Sequence, residues 1–355
     1  MVVHVRVRIV GAVAVLGLGA LALGGCTSSS GGSSSTSSTS TATTGGANLQ
    51  SNFESVIANV MPSVVLITLP SSLGSGIVLD NKGDIVTNNH VVAGATDYQV
   101  TLSTSSKTYD AKLVNSFPQG DLAVIKMTDP PSDLKPATFA DSSKAVVGQI
   151  VLAMGNPIGL SSSATDGIIS ATGRTVTEPA SSDTPAATLT DMIQTSASIN
   201  SGNSGGALVD LSGAVVGIPT LTAVDQTLGG AHPGIGFAIS SDTAKRIADQ
   251  IVTSGKVTDS GLASLGITGR SLIDANSRPA GVGVVEVTPG GPAANAGIVA
   301  GDVITSVNKV PVGSMDALSG ELATLKPGQQ VPVGITKADG STSTVNVTLG
   351  TLSVS

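Results

Sequence analysis

Gly202-Asn203-Ser204-Gly205-Gly206 stands between the apolar Ile199 and Ala207-Leu208, and how it is read decides the fold. A serine hydroxyl is a poor nucleophile unless a neighbouring base takes its proton in the transition state. The oxyanion that then develops needs backbone N–H donors aimed at it, and glycines permit a turn that points them there. In a chain this rich in serine an isolated Ser is ordinarily a solvated turn residue. Three glycines within two positions make Ser204 a candidate nucleophile.

Two architectures present a serine in this way. The first is the G-x-S-x-G elbow of α/β-hydrolases, for which Asp225 and His232 even follow in the required order. An elbow needs a strand-to-helix turn inside a parallel sheet, however. Nothing around Ser204 has helical periodicity, and only 28 residues separate it from His232. The second architecture takes its base and acid from upstream. His90 lies in Thr87-Asn88-Asn89-His90-Val91-Val92, at the end of an apolar segment. Asp121 follows 31 residues later, at the head of Leu122-Ala123-Val124-Ile125-Lys126. Alone, such a histidine is a structural or surface residue and such an aspartate a turn residue. Together they supply a base and the acceptor that fixes its tautomer, in the order His, Asp, Ser.

The surroundings favour the second reading. From Val64 to Ile239 about a dozen short apolar or alternating segments succeed one another, among them Val64–Leu69, Gly76–Leu79, Tyr98–Leu102, Ile150–Met154 and Gly234–Ile239. Turn signals such as Asn81-Lys82-Gly83 separate them, and no helical patterns intervene, so a barrel or sandwich is expected. Ala244, Ile247, Ala248, Ile251 and Val252 then recur at helical spacing, with Gly255 as a stop. The polar Thr258-Asp259-Ser260-Gly261 marks a boundary. Beyond Leu262 a second unit holds several strands, the short helical Pro292-Ala293-Ala294-Asn295-Ala296 and a helix from Ser314 to Leu325. Asp339-Gly340 marks a hairpin within it.

Composition fits and narrows the function classes. At 355 residues, with 40% hydrophobic but only 2% aromatic side chains and no Trp, two cores must be built from Val, Ile, Leu and Ala. The net charge is −7, and no cluster of Lys and Arg is present to displace counterions from nucleic acid. One cysteine, Cys26, rules out an intrachain disulfide; with His90 and His232 the only histidines past the start, no metal site or cofactor is expected.

On these blocks the chain resembles the HtrA (DegP/DegS-like) serine proteases from Asn52 to Leu349. The blocks are Thr87–Val92, Gly120–Lys126, Gly155-Asn156-Pro157-Ile158-Gly159, Gly202–Gly206 and the closing Gly236-Phe237-Ala238-Ile239, in order. The resemblance implies a mainly β fold: a trypsin-like double β-barrel over residues 51–255, followed by a small α+β PDZ domain over residues 261–352. It implies Ser204 as nucleophile, His90 as general base, Asp121 as its orienter, and an oxyanion hole from the N–H groups of Gly202 and Ser204. Ser198, six before the nucleophile, would lie at the base of the specificity pocket; being uncharged, it argues against a preference for Lys or Arg. In the second unit Ser264-Leu265-Gly266-Ile267 matches the family's carboxylate-binding loop, which implies capture of C-terminal peptides by strand addition. Unfolded proteins as substrates and a homo-trimer or larger homo-oligomer are implied as well. The sequence departs from the family at Ser196 and Ser201, where Asp and Pro are usual, and at Ala207, where Pro is usual. Losing proline frees the backbone of the loop before the nucleophile. A chaperone-like binder with conditional proteolysis, or an esterase, are the other readings of the same residues.

The N-terminus reads as an address. Arg6 and Arg8 precede an uncharged stretch from Ile9 to Leu23. As a helix that stretch would span roughly 22 Å, short of a hydrocarbon core of roughly 30 Å, so residues 1–25 are expected to be a secretory signal. Leu23-Gly24-Gly25-Cys26 resembles a bacterial lipobox, which implies lipidation of Cys26 and a membrane anchor. Residues 26–50, nearly all Ser, Thr and Gly as far as Gly46, are expected to be a flexible tether.

Overall fold

The computed structural model describes residues 41–70, 72–156, 163–178, 187–200, 202–225, 230–274 and 276–353. The signal segment and Cys26 lie outside the described residues, and residues 46–355 form one compact unit.

The β-branched segments become six short strands, β1 (Val64–Thr68), β2 (Leu73–Val78), β3 (Asp84–Thr87), β4 (Asp97–Leu102), β5 (Thr108–Phe117) and β6 (Leu122–Met127). They close into an antiparallel barrel in the order β1-β2-β3-β6-β5-β4. The next six are β7 (Ile150–Gly155), β8 (Ser163–Glu178), β9 (Ala187–Thr195), β10 (Ala207–Asp210), β11 (Val215–Asp225) and β12 (Gly230–Ser240). They close in the order β10-β11-β12-β9-β8-β7, which is the same order shifted by six. Two barrels of one topology thus stand in series, the arrangement that the resemblance implied.

Alternation along the strands splits the apolar residues between interiors and a shared seam. Ile67, Val78, Ile85, Val100 and Ile125 fill the first barrel, and Val151, Ile169, Ile193 and Val216 the second. A third cluster joins them: Ile77, Phe117, Leu122 and Val124 from one barrel meet Leu152, Met154, Leu189 and Ile218 from the other. Two helices seal this seam. One is α1 (Thr41–Val60), through Phe53, Val56, Ile57 and Val60. The other is α3 (Ser241–Ser254), which buries Ala244, Ile247, Ala248 and Ile251 and ends at Gly255 with φ 68°. The short α2 (Asn89–Val92) lies between β3 and β4.

Helix α1 corrects one expectation. Residues 41–50 are helical rather than an irregular tether. Phe53, Val56, Ile57 and Val60 recur every three to four residues, so their burial specifies the helix. The helical run then extends back through Gly46 to Gln50, which are exposed.

After α3 come β13 (Ala263–Ser264), β14 (Ile267–Ile273), β15 (Pro279–Val287), α4 (Pro292–Asn295), β16 (Val303–Val307), β17 (Val310–Pro311), α5 (Met315–Ala323), β18 (Gln330–Thr336), β19 (Thr342–Thr348) and β20 (Gly350–Thr351). Here β14 is an open edge of the sheet β14-β15-β16-β18-β19. This unit has its own core, including Leu265, Val282, Ile304, Leu318, Val333 and Val347. Ser314 caps α5 by accepting a hydrogen bond from the Ala317 N–H at 3.2 Å. Among the described residues no helix is long and apolar enough to cross a membrane.

Candidate active site

Strand register brings His90 and Asp121 to one end of the first barrel. β3 and β6 are neighbours with Thr87 opposite Ala123, so residues just past β3 and just before β6 meet. Asp121 closes a 3₁₀ turn, Pro118–Gly120, with φ 50°, a left-handed conformation that aspartate tolerates better than most residues. That turn aims its carboxylate at α2. His90 Nδ1 lies 3.0 and 2.9 Å from the two carboxylate oxygens, and the His90 backbone N–H donates to Oδ1 at 3.0 Å. The Asp121 carbonyl accepts from Asn88 Nδ2 and from the Asn89 N–H, each at 3.1 Å. With the side chain of Asp121 only 3% exposed, these bonds leave the imidazole little freedom.

Ser204 belongs to the second barrel, in the turn between β9 and β10, and is buried. Both flanking elements are strands of an antiparallel barrel, which excludes the strand-to-helix elbow. The side chains of Asp225 and His232 lie outside the described residues; their backbones run in β11 and β12.

The turn carrying Ser204 is pressed onto the first barrel. Ser75 of β2 donates its N–H to the Ser204 carbonyl at 3.0 Å and its hydroxyl to the Gly202 carbonyl at 2.8 Å. The Ser75 hydroxyl also accepts from the Asn156 N–H at 2.9 Å. Gly205 is required there. Its φ is 78°, and a Cβ would fall 2.3 Å from the Ser75 carbonyl oxygen and 2.4 Å from Thr87 Oγ1. Thr87 and Asn88 immediately precede the helix of His90, so the serine turn and the His–Asp pair share one corner of the inter-barrel seam. Thr220 of β11 ties them further. Its hydroxyl donates to Asp121 Oδ2, while its carbonyl lies 3.5 Å from Ser204 Oγ.

The loop before Ser204 closes on itself. Asn200 Oδ1 accepts the Gly202 N–H at 2.9 Å, and the Asn200 carbonyl accepts the Asn203 N–H at 3.1 Å, the Ser204 N–H at 3.3 Å and the Ser204 hydroxyl at 3.2 Å. Both N–H groups expected to form an oxyanion hole are therefore engaged inside the loop. The cause is local: an Asn side chain readily accepts from the backbone two residues on. Ser198 is exposed, and its carbonyl accepts from Thr165 Oγ1 at 2.9 Å and Asn203 Nδ2 at 2.8 Å. The next residue, Ile199, is buried against Gly236.

Two residues of this corner escaped the sequence reading, Ser75 and Thr220. Ser75 had a signal: Gly74-Ser75-Gly76 inside an otherwise apolar strand marks close approach of another backbone. Thr220 has none, because only the packing of the second barrel on the first brings it to Asp121.

In the C-terminal unit, Leu265 is buried, Gly266 has φ 69° and Ile267 opens β14. These three residues line a cavity of about 270 Å³ between β14 and α5, with Met315, Leu318 and Leu322 on the helix side.

A trypsin-like peptidase domain family matches residues 74–218, and a PDZ domain family matches residues 249–349. The periplasmic serine endoprotease DegP of Escherichia coli K12 is 41% identical over 288 residues, which are 78% of this chain and 57% of DegP. The serine protease PepD of Mycobacterium tuberculosis H37Rv is 39% identical over 314 residues, 84% of this chain and 66% of PepD. The chain thus spans 57% to 66% of the length of these curated relatives. Among solved structures, the HtrA-type protease AlgW with a decapeptide superposes with a TM-score of 0.54 at 31% identity, covering 84% of this chain and 98% of AlgW. A serine endoprotease from Yersinia pestis gives 0.54 at 34% identity, with the same coverage of each chain.

Proposed function

The chain belongs to the HtrA-type family of trypsin-like serine proteases with a PDZ domain, and on that premise we propose that it is an endopeptidase acting on unfolded or misfolded proteins outside the cytoplasm. The observation that carries the reading is the corner just described: an imidazole held by a buried carboxylate, with a serine turn from the other barrel docked beside it. Ser204 Oγ adds to the scissile carbonyl while His90 takes its proton. His90 then passes that proton to the leaving amine, and an acyl-enzyme ester remains. Water, deprotonated by His90, attacks the ester and restores the serine. Asp121 holds the Nδ1–H tautomer throughout.

Stabilising the oxyanion requires the N–H groups of Gly202 and Ser204 to exchange Asn200 for the substrate oxygen. The loop therefore has a resting arrangement and a working one, and proteolysis is conditional on the switch between them. Extended chain is needed to enter the seam, which selects unfolded clients. An uncharged Ser198 and the neighbouring Ile199 suit small aliphatic side chains at the cleavage site.

The C-terminal unit reads peptide C-termini: an extended peptide adds to the open edge of β14 while its last side chain enters the apolar cavity. Lipidation of Cys26 would tether the enzyme to a membrane, and a homo-trimer or larger assembly is the expected oligomer. The periplasmic placement named for DegP supports an extracytoplasmic site of action.

Digestion of a reduced, alkylated protein, with cut sites mapped by mass spectrometry, tests the reading. Wild type should cut after small aliphatic residues and Ser204→Ala should not cut. Equal cutting by both would refute it.

A further inference from the structure

The cavity between β14 and α5 is walled by more than the C-terminal unit. Gln119 and Thr188 of the barrel unit line it alongside Leu265, Ile267, Leu318 and Leu322. Thr188 belongs to β9, against which α5 packs: a Cβ at Gly320 would lie 3.9 Å from Thr188 Oγ1. Gln119 belongs to the 3₁₀ turn Pro118–Gly120, whose Pro118 carbonyl accepts the Asp121 N–H at 3.1 Å. Gln119, Thr188 and Leu262 also line an adjoining cavity of about 200 Å³, so the two spaces share a wall.

Two donors at the cavity lack an acceptor. Among the described residues the Leu265 N–H makes no hydrogen bond, nor does the side-chain amide of the exposed Gln119. The Gly266 N–H is taken by Ser264 Oγ at 3.0 Å. Among the described residues no acidic side chain lines the cavity. Unused N–H groups lining an apolar groove, beside a free strand edge, suit the carboxylate of an extended peptide.

We propose that the protease unit completes this peptide site: the Gln119 amide contacts the C-terminal end of a peptide seated between β14 and α5. The site is then shared between the two units. A bound peptide touches the turn that presents Asp121, two residues from the carboxylate that holds His90. The inference rests on the reading of the C-terminal unit as a peptide binder and goes beyond it by assigning a recognition residue outside that unit.

The test uses the full chain and a fluorescein-labelled pool of decapeptides with free carboxylates, randomised in the last three residues. Affinity is read by fluorescence anisotropy. Gln119→Ala should bind about tenfold more weakly than wild type, the scale of losing a hydrogen bond to a charged group. Gln119→Glu should bind more weakly still, since it sets a carboxylate against a carboxylate. Leu322→Gln, which spoils the apolar wall of α5, serves as the groove control. If Leu322→Gln loses affinity while both Gln119 variants bind as wild type does, the shared site is wrong and the peptide-binder reading survives. If wild type binds no peptide of the pool, the peptide-binder reading itself fails.

Discussion

Asp121 gathers the hydrogen bonds of the proposed site on one buried carboxylate. It receives the His90 backbone N–H, faces His90 Nδ1 with both oxygens and accepts the Thr220 hydroxyl. Asp121→Asn keeps the shape but offers an amide where an acceptor is needed, so His90 turns to the wrong tautomer. A loss of about 10⁴ in kcat on a peptide substrate is expected, with the melting temperature nearly unchanged. Thr220→Val removes one donor and little volume. It should lower kcat by about 10- to 100-fold, the cost of one hydrogen bond to a charged group, and leave KM alone. A Thr220→Val enzyme with wild-type kcat would show that the hydroxyl does not help to hold Asp121. The sequence announced His90, Asp121 and Ser204 because each sits in a motif. It was silent on Thr220, whose partner is 99 residues away.

At the scale of elements, the strands legible in the sequence were those long enough to alternate. β3 and β10, four residues each, were legible only as apolar stretches beside His90 and Ser204. Helix α3 was legible from its apolar spacing and its terminal glycine. Helix α1 was hidden, because its first residues are Thr, Ala and Gly and its apolar stripe starts only at Leu49. The β3–β6 pair also carries a buried charge. Asp84 stands directly opposite Lys126, whose ammonium donates to its carboxylate at 2.8 Å. Burial pushes the Asp84 carboxyl above its ordinary value, and the hydrogen bond from Lys126 pulls partly back. A carboxyl raised in the folded state binds its proton more tightly there. Its stabilising share is therefore present at acid pH and is lost as pH climbs from the ordinary carboxylate value through the raised one. Lys126→Met removes the pull. The variant should melt like wild type near about pH 4, where Asp84 holds its proton more often, and lower near about pH 8. Because Lys126 is nearly half exposed, the deficit should be only about 1 kcal/mol. A deficit that is larger at acid pH would reverse the argument.

At the scale of the whole molecule, the proposed function follows from how two like barrels meet. Each barrel satisfies its own strands, yet neither holds a complete site: the imidazole and carboxylate stand on one, the hydroxyl on the other. Ser75, Thr87 and Gly205 make the join close enough that a single added Cβ would not fit. Sequence motifs pointed to the parts of the proposed site because their residue types are chemically diagnostic. The closed state of the loop from Asn200 to Ser204, by contrast, has Asn200 as its one signal, and an Asn accepts from the following backbone in loops of many shapes. The most direct measurement of the central claim is labelling by a fluorophosphonate, with the modified residue located by peptide mapping. Wild type and His232→Ala should be labelled at Ser204, whereas His90→Ala should stay unlabelled. Labelling that survives the loss of His90 and disappears with His232 would contradict the account.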